Sequence, residues 1–242
     1  MLPVPAKTPV SGLRFETKYL MDPARCAAIW CDLLALMEPD NHQDVPSTGY
    51  GVESLYFDTP TFTQYRHKLD GLPRRLKFRI RRYSREPELL RFEAKEKIVD
   101  RIRKRRTVLD EAEYQAIVDG RLPSHDDGVL NAFALERART SLRPCVIVSY
   151  RRHAFYFRCD PSVRVTIDSD RLAQNADNFE RTRSARCPVL TPGQSILELK
   201  WEAGFPHWLH TIVGKYGLRN LPLSKYCMGM EALMHRGGSP YA

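Results

Sequence analysis

The chain has 242 residues, 43% of them hydrophobic, which is enough to bury one large core or two small ones. It contains no tract of about 18 apolar residues and no charged-then-apolar leader, so we expect a cytoplasmic protein without a transmembrane segment of its own, although a membrane partner is compatible with this composition. The net charge is +9, but residues 66–106 alone hold 17 Lys and Arg against 6 Asp and Glu, a net charge of +11, so the basicity is local.

The first predicted elements are a strand, a helix and a second strand. Residues 1–12 are rich in proline and are expected to be flexible. Alternating residues at 13–20 predict a strand with one polar face. Asp22 is a suitable N-cap for a helix with Pro23 in its first turn, and residues 51–58 form the second predicted strand.

The rest of the chain is predicted to be rich in strands. In chain order we expect strands at 76–83, 89–98 and 101–109, helices near 110–120 and 127–140, strands at 145–157, 162–168 and 195–201, and helices near 206–216 and 223–235. Because no βαβ alternation is present, this order predicts an α+β fold whose antiparallel sheet is closed, or nearly closed, into a β-barrel with flanking helices. No low-complexity linker divides the chain, so residues 13–242 are predicted to form a single domain.

Cationic side chains recur at every second position of the basic segment. Lys77, Arg79 and Arg81 alternate with apolar residues, and on the next strand Phe92 and Ala94 separate the first charged residues of a row that continues to Lys95 and Lys97. Residues two apart in a strand share a face, so these cations project from one side of a sheet. Such a face could simply be solvated. Crowded cations repel one another, however, and their number favours a site for a multiply charged anion such as polyphosphate.

Charged residues alternate in the same way on other strands of the predicted barrel. If the sheet closes, all these side chains converge on one interior, which must then hold water and anions. On this interpretation the candidate substrate-binding residues from the strands are Lys77, Arg106, Tyr150, Arg164 and Lys200. By residue type alone, a tyrosine such as Tyr150 is more often a packed strand residue than a ligand contact.

One strand offers a candidate metal ligand. In residues 195–201, Glu198 and Lys200 face the polar side while Leu197 and Leu199 face the apolar side. Glu198 could be an ion-pair partner inside a cationic site, or it could bind Mg²⁺ or Mn²⁺, which favour one or two carboxylates together with phosphate oxygens. The second candidates for the same ligand shell are Glu16 and Glu93.

Other functional classes lack their sequence signals. The six cysteines are scattered, with no CxxC pair and no Cys/His cluster at zinc spacing. The sequence has no RNP-type motif, and its basic residues lie on predicted strands rather than on a recognition helix, so we expect no nucleic-acid partner. A Gly-rich phosphate loop is also absent. Ser224 and Lys225 at the start of the last helix could merely cap it, or could hold a phosphate.

Together these motifs resemble a known family, the VTC-type polyphosphate polymerase domain of the triphosphate tunnel metalloenzyme superfamily. The resemblance extends from Phe15 to about His235. It rests on the order of Glu16-Thr17-Lys18-Tyr19, Tyr56-Phe57-Asp58-Thr59, Lys77-Phe78-Arg79-Ile80-Arg81, Phe92-Glu93-Ala94-Lys95, Lys104-x-Arg106, Tyr150-x-Arg152, Arg164-x-x-x-Asp168, Leu197-Glu198-Leu199-Lys200 and Ser224-Lys225-Tyr226.

The resemblance implies a fold, an activity and a set of site residues. The fold is an antiparallel barrel forming a tunnel lined by basic residues, and the activity is transfer of the terminal phosphate of ATP onto polyphosphate with Mn²⁺ or Mg²⁺. The residues implied to contact phosphates are Lys18, Arg79, Arg81, Lys95, Lys104, Arg152 and Lys225, assisted by Tyr150 and Ser224. Glu198 matches the metal-binding glutamate. Arg14 replaces the first glutamate of the hydrolase and cyclase branch, which favours the polymerase branch.

Two other functions are compatible with the same residues. A hydrolase of tripolyphosphate or of a nucleoside triphosphate would use the same cations and metal with water as the acceptor. A non-catalytic module that binds polyanions would use the cations alone, and Glu198 would then be dispensable.

Overall fold

A computed structural model describes residues 13–40, 48–121 and 127–236, so the expected flexible segment at 1–12 lies outside the described residues. The strands are β1 (Phe15–Met21), β2 (Met37–Pro39), β3 (Tyr50–Asp58), β4 (Arg74–Tyr83), β5 (Glu86–Ile98), β6 (Arg101–Leu109), β7 (Arg143–Phe157), β8 (Asp160–Asn175), β9 (Cys187–Pro188) and β10 (Ser195–Trp201). The helices are α1 (Pro23–Leu36), α2 (Thr63–Leu69), α3 (Glu111–Val118), α4 (Gly128–Thr140), α5 (His207–Lys215) and α6 (Lys225–Met234). None of these helices combines the length and apolar composition needed to cross a bilayer.

Eight strands form one antiparallel path that curls back on itself. The path runs β1-β10-β8-β7-β3-β4-β5-β6, while β2 and β9 pair with β7 and β8 at its margins. Within the described ranges the two end strands are joined by an isolated bridge, in which Arg14 and Ile102 exchange backbone N–H···O bonds of 3.1 and 2.9 Å. The predicted α+β fold with a barrel-like antiparallel sheet is therefore confirmed, although no continuous ladder closes the barrel in the part of the chain that the structure describes.

Helix α2 was not predicted, because a distant residue caps it. Its N-cap position, Phe62, has a left-handed backbone with φ 55° and no capping side chain. Instead the buried carboxylate of Asp58 accepts hydrogen bonds from the backbone N–H groups of Gln64 and Tyr65, at 2.8 and 3.0 Å. The same carboxylate accepts a bond from the Tyr226 hydroxyl, so it also ties α6 to the end of β3.

The outer face of the barrel carries two of the apolar cores. Phe78 and Phe92 pack against Phe133 of α4, with ring centroids 5.2 and 5.0 Å from its ring. On the other side, Ile29 and Leu33 of α1 belong to the core that covers β1, β8 and β10. Because strand residues alternate between faces, burying these residues outside turns the intervening cations inward.

Helix α6 packs on the inner face instead. On β7, Val146 and Val148 share the face of Arg152, and they form a core with Met230 of α6. Gly229 allows this close approach, since a Cβ atom there would lie 2.9 Å from Val148 Cγ2.

We therefore expect Gly229→Ala to lower the free energy of unfolding by about 1–3 kcal/mol, because the added methyl overpacks this contact. Gly214→Ala in α5 is the matched control, since its Cβ would meet open space, and it should leave stability unchanged or raise it by up to about 1 kcal/mol. Urea denaturation of both variants measures the difference. Equal stabilities would contradict the close packing of α6 on β7.

Candidate functional site

The inner face of the barrel surrounds a cavity of about 770 Å³. All eight strands of the main path contribute side chains to it, and so do α2, α6 and the segment before α6. Among the described residues, its lining holds sixteen Lys and Arg but four Asp and Glu. The cavity is therefore strongly cationic and suited to a polyvalent anion.

Nearly all of the predicted site residues line this cavity. Those implied to contact phosphates are all in the lining, namely Lys18, Arg79, Arg81, Lys95, Lys104, Arg152 and Lys225. The lining also contains Lys77, Arg106, Arg164, Lys200 and Ser224, together with the two candidate metal ligands Glu16 and Glu198. Tyr150 is the exception: it is buried behind the lining, with Arg152 Cζ and Lys225 Nζ each 5.2 Å from its ring centre.

The lining also includes residues that sequence reasoning did not single out. Tyr56 is one of them, and its hydroxyl accepts a hydrogen bond of 3.0 Å from Arg79 Nη1. Lys68 and Arg75 are two further cations of the lining, and Arg75 also lies near the predicted cation Lys97. Strand alternation could have identified Tyr56 and Arg75, whereas Lys68 lies on the helix capped from a distance.

On the wall formed by β4, β5 and β6, one carboxylate holds three cations. Glu93 is 1% exposed and forms ion pairs with Arg79 at 2.7 Å, with Arg81 at 3.6 Å and with Lys104. Burial raises the pKa of Glu93, but the two guanidinium groups and Lys104 outweigh burial and hold the pKa well below its usual range. Because its oxygens face these cations from behind the lining, Glu93 is not part of the candidate metal shell.

On the opposite wall, Glu16 and Glu198 lie on neighbouring strands β1 and β10. Lys95 and Lys18 pair with Glu16 at 2.9 and 3.2 Å, and Lys200 pairs with Glu198 at 3.2 Å. Burial and Glu198 raise the pKa of Glu16, yet the two ammonium groups bring it below its ordinary value. Burial likewise raises the pKa of Glu198, but Lys200 and the other lysines hold it well below. Both carboxylates are therefore ionised.

This carboxylate pair fits a hard divalent cation. Mg²⁺ and Mn²⁺ are commonly bound by one or two carboxylates, with substrate phosphates and water completing the shell. Glu16 and Glu198 supply such a set at the cavity wall. The described residues contain no group of three or more His, Cys, Asp or Glu that could hold a metal by itself, so phosphate oxygens would be needed as further ligands.

A further carboxylate, Asp168, lies behind the cations of β7 and α6. Arg152 donates to it from Nε and Nη2 at 2.7 and 2.9 Å, and Lys225 Nζ lies 2.7 Å away. Ser224 caps α6 by accepting from the N–H of Cys227 at 3.4 Å, and Lys77 Nζ donates to its hydroxyl at 3.3 Å. Ser224 therefore links the start of α6 to Lys77 of β4 at the surface of the cavity.

The pKa of Lys200 should make anion binding pH-dependent. Burial lowers this pKa to about 7, although Glu198 opposes the shift. As the pH rises from 6 to 9 the ammonium group loses its proton, and we expect the affinity for tripolyphosphate to fall by roughly tenfold from this group, since a charged contact is worth about 1.5 kcal/mol. Lys200→Arg stays charged, so its calorimetric Kd should change less over the same range.

Titration of the ligand itself is common to both proteins and cancels in the comparison. Parallel pH profiles for the wild type and Lys200→Arg would exclude Lys200 as the titrating group. The stability of the ligand-free protein should change with pH in the opposite direction to the affinity. Between about pH 7 and about pH 10, Lys200 is largely neutral in the folded protein but protonated in the unfolded chain, where its pKa is near 10.4. Because the unfolded chain binds more protons, the contribution of Lys200 raises the free energy of unfolding over this range.

Comparisons with known proteins agree with this architecture. A provisionally assigned adenylate cyclase from Bacillus halodurans superposes with a TM-score of 0.54 at 13% identity, covering 88% of this chain and 94% of that one. A protein from Pyrococcus horikoshii OT3 gives a TM-score of 0.48 at 12% identity, covering 90% of this chain and 98% of that one. At 13% identity the likeness to the Bacillus halodurans protein concerns the fold alone. No curated protein matches by sequence. The model of the VTC domain family matches residues 13–234, and the chain therefore belongs to that family.

Proposed function

We propose that the protein is a metal-dependent polyphosphate polymerase, which transfers the terminal phosphate of ATP onto a polyphosphate chain within a single catalytic domain at 13–242. The observation that carries the proposal is the cavity lining, in which cations from seven strands and two helices face one enclosed space. Cations drawn from so many elements can contact several phosphates in a row, whereas a single anion would engage few of them. Membership of the VTC domain family supports the same interpretation.

Phosphoryl transfer depends mainly on positioning and on stabilising charge in the transition state. Arg79, Arg81 and Lys104 are pre-oriented on one wall, while Arg152 and Lys225 are held on the other. A phosphate row lying between the walls would be gripped from both sides. A divalent cation held by Glu198 and Glu16 would supply further charge neutralisation at the transferring group.

The nature of the acceptor favours a polymerase over a hydrolase. A terminal polyphosphate oxygen is already deprotonated, whereas water needs a base to remove its proton. Glu16 and Glu198 have lowered pKa values and are therefore weak bases. These carboxylates suit an anionic acceptor held by cations better than they suit activation of water.

Incubation of the pure protein with ATP and Mn²⁺ or Mg²⁺, followed by gel electrophoresis of the products, tests the proposal. A ladder of polyphosphate supports the polymerase. Release of inorganic phosphate without a ladder would identify the hydrolase, and binding of tripolyphosphate without turnover would identify the non-catalytic module.

We expect Glu198→Gln to abolish divalent-dependent turnover but to leave metal-free binding of tripolyphosphate intact or tighter, because removal of an anion relieves repulsion with phosphate. Product formation and calorimetric Kd are measured on the same preparation. Glu96→Gln is the matched control, since Glu96 is also a buried carboxylate in ion pairs, with Arg74 and Arg103, but lies outside the cavity lining. Retained metal-dependent activity in Glu198→Gln would remove Glu198 from the mechanism.

A further inference from the structure

A β-bulge between β7 and β8 places an additional arginine inside the barrel. Ser149 pairs with Leu172 and Arg151 pairs with Ser169, so β8 has one more residue than β7 across this step. Asp170, within the bulge, has a left-handed backbone with φ 49°. An extra residue reverses the alternation of side chains, and Arg171 consequently shares the inner face with Asp168.

Arg171 is a buried cation without an ionic partner. It is 3% exposed, and its Nη2 donates to the backbone carbonyl of Asp168 at 3.3 Å. Its Nε and Nη1 have no hydrogen-bond partner, and no carboxylate of the described residues lies within ion-pairing distance of it. Burial lowers the pKa of the guanidinium, although Asp168 opposes this effect. An unpaired buried charge destabilises a fold, so its presence needs a compensating role.

Asp168, the nearest carboxylate in this network, is fully buried and serves the cations of the proposed site. Arg152 and Lys225 both pair with it, and its charge is also stabilised by Arg171. If Arg152 and Lys225 turned to a bound phosphate, Asp168 would lose both of the cations with which it forms direct ion pairs. Breaking a buried ion pair strongly destabilises the folded protein, so this loss would oppose the binding of phosphate by Arg152 and Lys225.

The wall of Glu93 does not have this difficulty. Three cations share that carboxylate, so turning one of them to phosphate leaves two in place. Asp168 has two direct partners, so turning one of them to phosphate leaves it with a single paired cation, and turning both leaves it with none.

We propose that Arg171 is a positioning residue, a reserve counter-ion that takes over Asp168 when Arg152 and Lys225 turn to phosphate. The inference rests on the proposed function insofar as the ligand is a row of phosphates. Its free Nε and Nη1 are the donors that would engage the carboxylate, and its existing bond to the Asp168 backbone keeps it adjacent. Arg171 itself need not touch the substrate.

Calorimetric binding of tripolyphosphate without metal, with melting temperatures measured in parallel, tests this role. Arg171→Met should raise the Kd at least tenfold while leaving the melting temperature unchanged or higher, because an unpaired buried charge is removed. Arg171→Lys retains the charge and should stay within about threefold of the wild-type Kd. Asp168→Asn releases the two cations, so its Kd should equal the wild-type value or lie below it. In the double variant the Asn substitution should cancel the effect of Met, giving the Kd of Asp168→Asn.

Arg151→Met is the matched control, because Arg151 lies in the same bulge, pairs with Asp170 and has a side chain that is 54% exposed. Its Kd should not change. A wild-type Kd for Arg171→Met would overturn the inference, and so would weak binding accompanied by a lower melting temperature, which indicates a structural role. If Asp168→Asn does not fold, the inference is tested by the Kd values of Arg171→Met and Arg171→Lys: a raised Kd for Met alone supports it, and equal Kd values contradict it. Failure of the wild type to bind tripolyphosphate overturns the proposed function itself, whereas binding that is normal in both the wild type and Arg171→Met overturns this inference alone.

Discussion

Repulsion among cations inside a nearly closed sheet is the constraint on which the rest of the structure depends. Sixteen Lys and Arg side chains of the described residues face one cavity, and water screens them poorly there. Four buried carboxylates, Glu16, Glu93, Asp168 and Glu198, are distributed among them. Each carboxylate is shared by two or more cations, so the interior retains an excess of positive charge.

The repulsion caused by this excess positive charge has to be offset by apolar packing elsewhere in the fold. The aromatic cluster around Phe78, Phe92 and Phe133 and the core of α1 and α5 lie on the outer face, where they stabilise the same strands that carry the cations inside. Each of these strands is therefore apolar outside and charged inside. A bound polyanion would add stability that rises with the logarithm of its free concentration above its Kd, because it binds the folded chain alone.

Strand alternation explains how much of the site could be predicted from the sequence. It placed Lys77, Arg79 and Arg81 on one inner wall, because their strand is regular as far as Arg81. Alternation could not reveal that Glu93 is occupied by three cations, since that depends on partners from neighbouring strands. It also fails at Arg171, because a bulge reverses the side-chain alternation and leaves no local signal in the sequence. Helix α2 was missed for a similar reason, since Asp58 caps it from the end of a strand.

The bridge between Arg14 and Ile102 gives the barrel a seam. Elsewhere around the path, neighbouring strands are joined by ladders of several residue pairs, whereas these ends of β1 and β6 are held by two backbone hydrogen bonds. Local opening requires the least structure to be broken at this line. Amide hydrogens along the seam should therefore exchange with solvent well before those in the ladder between β7 and β8. Opening at the seam would widen the barrel there, while the wall that contains the β7–β8 ladder keeps its hydrogen bonds.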